Sequence, residues 1–144
     1  MVPLSELYTF ADAMSYDLYW IRSGDARICS MSVTDGQHCA IMLDPTCLQQ
    51  ASQERRTLAH ELGHCCTGSF YNQYAARDLR QKHENRADKW AIGRLIPRDE
   101  LERAVEAGNT ELWQLAEHFG VPEEFMKKAV CWYRHGNLAS DLYD

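Results

Sequence analysis

Two charged clusters constrain this chain more than any other feature of its sequence: HELGH, which begins at His60, and HENRAD, which begins at His83. On a helix, side chains four positions apart lie on one face, so His60 and His64 can direct their imidazoles to one place. Glu84 and Asp88 have the same spacing. Either cluster alone is also typical of the solvated face of an ordinary helix. If the clusters act as one site, the fold must pack two helices side by side with these faces in contact.

The residue types in the two clusters are those of a zinc site. Imidazole nitrogens and carboxylate oxygens both bind Zn²⁺, and a catalytic site commonly uses three protein ligands. The sequence predicts one zinc per chain, held by His60, His64 and Glu84. Asp88 is placed to accept a hydrogen bond from the far nitrogen of a ligating histidine. Glu61 lies about 100° round the helix from His60, so it is predicted to reach a water molecule as the catalytic residue.

Three further side chains near the clusters are candidate contacts to a substrate or a transition state. His83 is adjacent to Glu84 but about 100° round the helix, which favours a substrate contact over a ligand. Tyr71 and Tyr74 lie in the segment GSFYNQYAA, which has no clean period and is predicted to be a loop. Their hydroxyls are candidates for donating to a developing oxyanion, and the residue pattern does not choose among the three.

Hydrophobic periodicity predicts an α+β fold with a small sheet beside a helical majority. The expected order is a short N-terminal helix, a strand at DLYWI, a hairpin of ARICSMSV and HCAIML around the turn TDGQ, and the HELGH helix from about Thr46 to Thr67. A second long helix, RDLRQKHENRADKWAIGRLI, ends before Pro97. Shorter helices are expected at about 98–107, 110–119 and 123–135. We therefore expect one domain over residues 1–144, with the helical segment of about 98–144 packed on the rest.

The ends and the cysteines of the chain indicate its compartment. The first residues lack the basic start and apolar run of a signal peptide, and no run of eighteen apolar residues occurs. This predicts a cytoplasmic protein with no membrane association. In that setting the six cysteines are expected to be reduced and partly buried. Cys65 and Cys66 are zinc donors by type, but neither lies on the helix face of His60 and His64.

Charge distribution bears on nucleic-acid binding. The net charge is −6, and residues 98–144 carry five Lys and Arg against ten acidic residues. The segment TELWQLAEHFGVPEEFMKKAV has core-like apolar spacing and resembles a helix-turn-helix, which raises the alternative of a DNA-binding regulator. Its second helix offers Lys127 and Lys128 against Glu123 and Glu124, too little positive charge to hold phosphates. We expect no direct nucleic-acid partner and a packing or docking role for this segment.

HELGH, the tyrosine-bearing loop and HENRADKWAIGRLIP together resemble the ImmA/IrrE family of metallo-endopeptidases, small zinc proteins of bacteria and their mobile elements. The similarity covers about residues 38–130. It implies a zincin-type fold, zinc ligands at His60, His64 and Glu84, and Glu61 as the catalytic acid/base. One departure is Trp90, at a position that is often Phe in the family, and it changes core volume without touching the chemistry.

The same resemblance implies a function. It suggests a zinc-dependent endopeptidase that cleaves a helix-turn-helix (XRE-type) transcriptional repressor and so releases genes of a mobile element or a stress response. Two alternatives remain from the sequence: a DNA-binding regulator that uses the C-terminal segment, and a catalytically silent protein that keeps zinc for stability and binds a partner.

Overall fold

The computed structural model describes residues 1–72 and 74–138, and within those ranges it contains three strands and six helices. The mixed α+β class and the order of elements predicted from the sequence are confirmed. In chain order the elements are α1 (Leu4–Ala13), β1 (Asp17–Trp20), β2 (Ser30–Thr34), β3 (Cys39–Leu43), α2 (Ala51–Thr67), α3 (Arg77–Leu95), α4 (Arg98–Glu106), α5 (Leu112–Phe119) and α6 (Glu123–His135).

The three strands form one sheet in which β3 is central, parallel to β1 and antiparallel to β2. The predicted hairpin joins β2 to β3. Its turn is held by Asp35, whose Oδ1 accepts hydrogen bonds from the backbone N–H groups of Gln37 at 2.8 Å and His38 at 2.7 Å. Ile41 and Leu43 on β3 are buried, on the side of the sheet that packs against α2. Strand β2 lies at one edge of the sheet and contacts the HELGH helix, α2.

Helix α2 begins five residues later than the sequence predicts, at Ala51 and not at Thr46. The reason is a local turn around Asp44. Its buried carboxylate accepts hydrogen bonds from the N–H of Thr46 at 2.9 Å and from the Thr46 hydroxyl at 2.6 Å, and its carbonyl accepts from the N–H of Cys47 at 3.2 Å. These local bonds compete with the first turn of a helix.

One apolar core draws on all six helices and on β3. It includes Leu7, Ile41, Leu58, Ile92, Leu101, Leu115, Phe119 and Phe125. The C-terminal helices are fixed to the rest by polar contacts as well, since the Tyr133 hydroxyl of α6 donates to the Ile96 carbonyl at 2.6 Å. The predicted C-terminal segment extends to residue 144, and its last six residues lie outside the described part of the chain.

The expectation that all six cysteines are reduced is wrong for four of them. The structure contains disulfides Cys29–Cys47 and Cys39–Cys65, with Cα–Cα separations of 5.5 and 6.0 Å. These separations suit a disulfide. Cys29 and Cys47 lie at the two ends of the hairpin, 18 positions apart, whereas Cys39 of β3 and Cys65 of α2 are 26 positions apart. Cys66 and Cys131 carry free thiols.

Candidate metal centre

The two helices that carry the charged clusters pack directly against each other. A Cβ atom at Gly63 of α2 would lie 2.5 Å from the backbone oxygen of Ala87 on α3, a distance that excludes any side chain there. Ala87 and Ala91 are fully buried at this crossing. Small residues on both helices therefore let the two helices approach closely.

The crossing brings His60, His64 and Glu84 together. Donor atoms of the three side chains all lie within 4.8 Å of one another. The Nε2 atoms of His60 and His64 are 3.2 Å apart, and Oε2 of Glu84 is 2.7 Å from the first and 3.3 Å from the second. Three ligand atoms of the types that zinc prefers therefore meet at one point, and the group could hold a metal ion.

Both histidines are oriented by hydrogen bonds at the opposite ring nitrogen. His60 Nδ1–H donates to Oδ1 of Asp88 at 2.7 Å, as the spacing of the second cluster predicts. His64 Nδ1–H donates to the Ser69 carbonyl at 2.6 Å. With the proton fixed on Nδ1, each ring presents Nε2 to the common point.

The role of Ser69 is not visible in the spacing of the clusters. Gly68 ends α2 in the left-handed conformation, with φ of 66°, which glycine adopts without steric cost. The chain then turns back so that the next carbonyl meets His64. A glycine shortly after HELGH is the one sequence signal for this contact, and it marks only the end of the helix.

The charges at the site are strongly coupled. Burial alone would lower the pKa of His60, but hydrogen bonds to the carboxylates of Asp88 and Glu84 raise it to about 9. Burial alone would raise the pKa of Glu84, but hydrogen bonds from His60, His64 and Tyr71 hold it well below its usual range. Because metal ligands bind in their deprotonated form, binding of a metal ion to this hydrogen-bonded group would release a proton.

Glu61 lies beside the three converging side chains. Its side chain is 4 % exposed, and its Oε2 has no hydrogen-bond partner among the described residues. Burial raises the pKa of this carboxyl. Glu61 also lines a cavity of about 390 Å³ together with His64, Glu84 and residues of the edge strand β2. A buried carboxylate oxygen without a partner next to a cavity is suited to receive a hydrogen bond from a water molecule or substrate.

The three further candidates take different positions. Tyr71 lines the cavity, and its hydroxyl donates to Oε1 of Glu84 at 2.7 Å. His83 does not line the cavity and stacks on the Tyr71 ring at a centroid distance of 6.1 Å. Tyr74 is 84 % exposed and is not among the described residues that line the cavity. The structure therefore brings one of the three to the site, and it brings neither Cys65 nor Cys66 into the donor group.

The donor set suits a zinc ion. Two neutral imidazoles and one carboxylate make a three-ligand set that leaves a coordination position for a reactant, and each imidazole has an outer hydrogen-bond acceptor. Glu61, whose Oε2 has no partner among the described residues, lines the cavity beside this set. No cysteine takes part, so the set does not depend on the oxidation state of the disulfides.

Comparison with known proteins assigns the chain to a class and then to a family. Residues 32–130 match the sequence model of a peptidase family. That family is the IrrE N-terminal-like domain, and because the match covers more than half of the chain, the protein belongs to it. The family resemblance of HELGH and HENRADKWAIGRLIP is thereby confirmed, and membership supports peptidase activity. Curated proteins give no match to this chain. Among the described residues, no helix is long and apolar enough to cross a membrane.

Proposed function

We propose that this protein is a zinc-dependent endopeptidase with a zincin-like fold, a hydrolase that binds one Zn²⁺ per chain. One observation carries the proposal. His60 and His64 are each fixed by a hydrogen bond at Nδ1 so that their Nε2 atoms converge with Glu84. A buried glutamate, Glu61, has a free oxygen beside that point. Histidines that served only to stabilise the core would not need the carboxylate of Glu84 and the unpaired acid Glu61 beside them.

The reaction we propose is hydrolysis of a peptide bond. A zinc ion held by His60, His64 and Glu84 would supply a Lewis acid for water activation and carbonyl polarisation. Glu61 accepts the proton of the attacking water and passes it to the leaving amine. Tyr71 is the candidate that we assign to the developing oxyanion, since it is the one of the three that lines the cavity beside Glu61.

The proposed substrate is a protein. The cavity beside Glu61 has an apolar wall formed by Met31, Val33 and Phe70, which suits an apolar side chain next to the scissile bond. We propose that the substrate is a helix-turn-helix repressor of the XRE type, as the family resemblance implies, and that its cleavage releases genes of a mobile element or a stress response. No nucleic acid or membrane takes part in this proposal.

The proposed compartment is the cytoplasm, where such a repressor binds DNA. Reducing conditions there open most disulfides. The disulfide Cys39–Cys65 joins β3 to α2 one residue after His64, yet the donor set contains only imidazoles and a carboxylate. We therefore expect the metal centre to form with these cysteines either paired or reduced.

The test is the substitution Glu61→Gln, assayed on intact repressor candidates with fragments read by mass. Gln has nearly the same shape, so the fold and the zinc content should be unchanged. It cannot accept a proton, and loss of a general base costs on the order of 10²–10⁴ in rate. Glu117→Gln, an exposed change on α5, is the control and should cleave like the wild type.

Two outcomes would count against the proposal. Equal cleavage by the wild type and Glu61→Gln would show that Glu61 is not the base. Absence of cleavage of every candidate by zinc-loaded wild type would favour the silent partner-binding protein.

A further inference from the structure

Lys128 of helix α6 contacts the metal centre. Lys128 Nζ donates to Oδ2 of Asp88 at 3.1 Å, while Oδ1 of the same carboxylate accepts the hydrogen bond from His60 at 2.7 Å. The Asp88 side chain is 4 % exposed and the Lys128 side chain is 30 % exposed. The two oxygens of one buried carboxylate are thus divided between a lysine of the C-terminal segment and a proposed metal ligand.

We propose that Lys128 is a positioning residue for the metal centre. By holding Oδ2 of Asp88, it keeps Oδ1 turned towards His60, and His60 in turn presents Nε2 to the metal. This inference rests on the metal site proposed above. It gives the helix-turn-helix-like segment a role in the site that does not involve DNA.

A second cation explains why Asp88 needs to be held. Nη1 of Arg56 lies 3.7 Å from Oδ1 of Asp88, the same oxygen that accepts from His60. Arg56 is itself kept partly aside, because its Nε donates to Glu124 at 3.1 Å and its guanidinium lies over the Phe125 ring. Without Lys128, Arg56 would be the remaining cation for a buried carboxylate. The carboxylate would turn towards it at the expense of the bond to His60.

The charge of Lys128 by itself predicts the opposite effect. A positive charge near the site repels a divalent cation, so its removal should tighten zinc binding if Lys128 acts only through its field. If Lys128 positions Asp88, its removal should weaken zinc binding. A third possibility is that Lys128 only fixes α6 to α3, and in that case thermal stability falls while zinc affinity does not change.

The experiment measures the zinc dissociation constant of the full chain by competition with a chromophoric chelator, together with the absorption spectrum of the Co²⁺-loaded protein. Changes in the outer hydrogen-bond partner of a ligand cost about 10–100-fold in metal affinity. Because Lys128 acts through that partner, we expect Lys128→Met to weaken zinc about tenfold and to alter the Co²⁺ spectrum. Lys128→Arg, which keeps a cationic donor to the carboxylate, should stay within about twofold of wild type.

The matched control is Lys89→Met. Lys89 is adjacent to Asp88 in sequence and carries the same charge, but its ammonium lies 4.7 Å from the centroid of the Trp132 ring. It should leave zinc affinity unchanged or slightly tighter. In the background Asp88→Asn, Lys128→Met should add no further loss, because the carboxylate through which it acts is gone.

The outcomes separate this inference from the proposed function. Zinc binding by Lys128→Met that equals or exceeds that of Lys89→Met, with wild type binding normally, would overturn the positioning role alone. Failure of the wild type to bind zinc would overturn the metal site itself. If Lys128→Met does not fold, Lys128→Ala, which also removes the donor and favours the helix, provides the same comparison: weakened zinc binding supports the role and unchanged binding overturns it.

Discussion

Two helix pairs of this protein differ in whether they bury ionisable side chains in addition to apolar ones. Where α2 crosses α3, the buried side chains include the ionisable groups of Glu61, His64 and Asp88. Where α5 packs on α6, the buried side chains are apolar apart from the thiol of Cys131, and they include Leu115, Ala116, Phe119, Phe125, Met126 and Ala129. Neighbouring parts of one core therefore differ in polarity: one buries ionisable groups and the other does not.

The difference indicates a division of labour. Burying ionisable groups costs free energy even when they are paired. The ionisable groups at the α2–α3 crossing therefore stabilise the fold less than apolar groups would. Burying apolar side chains stabilises the fold directly. We infer that the α5–α6 pair and the sheet supply much of the stability with which the α2–α3 pair holds its polar groups in place, and that a bound metal adds to it.

The largest expected effect concerns the α2–α3 pair. His64→Ala and Glu84→Ala should each lower zinc affinity on the order of 10³-fold, because each removes one of three ligands. Metal analysis of purified protein should find about one zinc in the wild type and little in either variant. Treatment with a chelator should likewise abolish cleavage. Full zinc occupancy retained in both variants would end the three-ligand site.

The next largest effect concerns the α5–α6 pair. Phe119→Ala should lower the free energy of unfolding by about 3–5 kcal/mol, since it empties the space of a fully buried ring. The measurement is urea denaturation, and Phe119→Leu should lose less. We propose that residues 1–144 form one domain, so a single transition is expected for each protein. The folded variant should bind as much zinc as the wild type. Loss of zinc at temperatures where the variant is still folded would contradict the inference that the α5–α6 pair contributes stability and not metal binding.

What the sequence could predict at the site follows from how local the interactions are. The set of His60, His64 and Glu84 was predictable because helical spacing fixes which side chains share a face. Asp88 was predictable for the same reason, as was the hairpin at Asp35. These inferences need only the geometry of one element and the chemistry of its residues.

The interactions that sequence reasoning missed join distant parts of the chain. The contact from Lys128 to Asp88 spans 40 residues, and nothing in the composition of α6 distinguishes this lysine from its neighbour. The disulfide Cys39–Cys65 depends on how closely β3 approaches α2, a distance that sequence spacing does not report. Tyr71 and Tyr74 lie in one loop with no period, so the pattern could not show that only Tyr71 faces the cavity. Such contacts are set by packing, which the order of elements does not determine.

The smallest expected effect is no effect, and it tests whether the apolar pair has a surface function in DNA binding. At moderate salt the protein should show no specific affinity for DNA upstream of its own gene, because residues 98–144 carry twice as many acidic as basic residues. Lys128, one of the few cations of the second helix, is already bound to Asp88. Electrophoretic shift at several salt concentrations is the measurement, with Lys127→Glu and Arg134→Glu as variants. A sequence-specific shift of the wild type that weakens with salt and is lost in these variants would show that the α5–α6 pair binds DNA. The inference that this pair serves stability alone, while the α2–α3 pair carries the chemistry, would then be wrong.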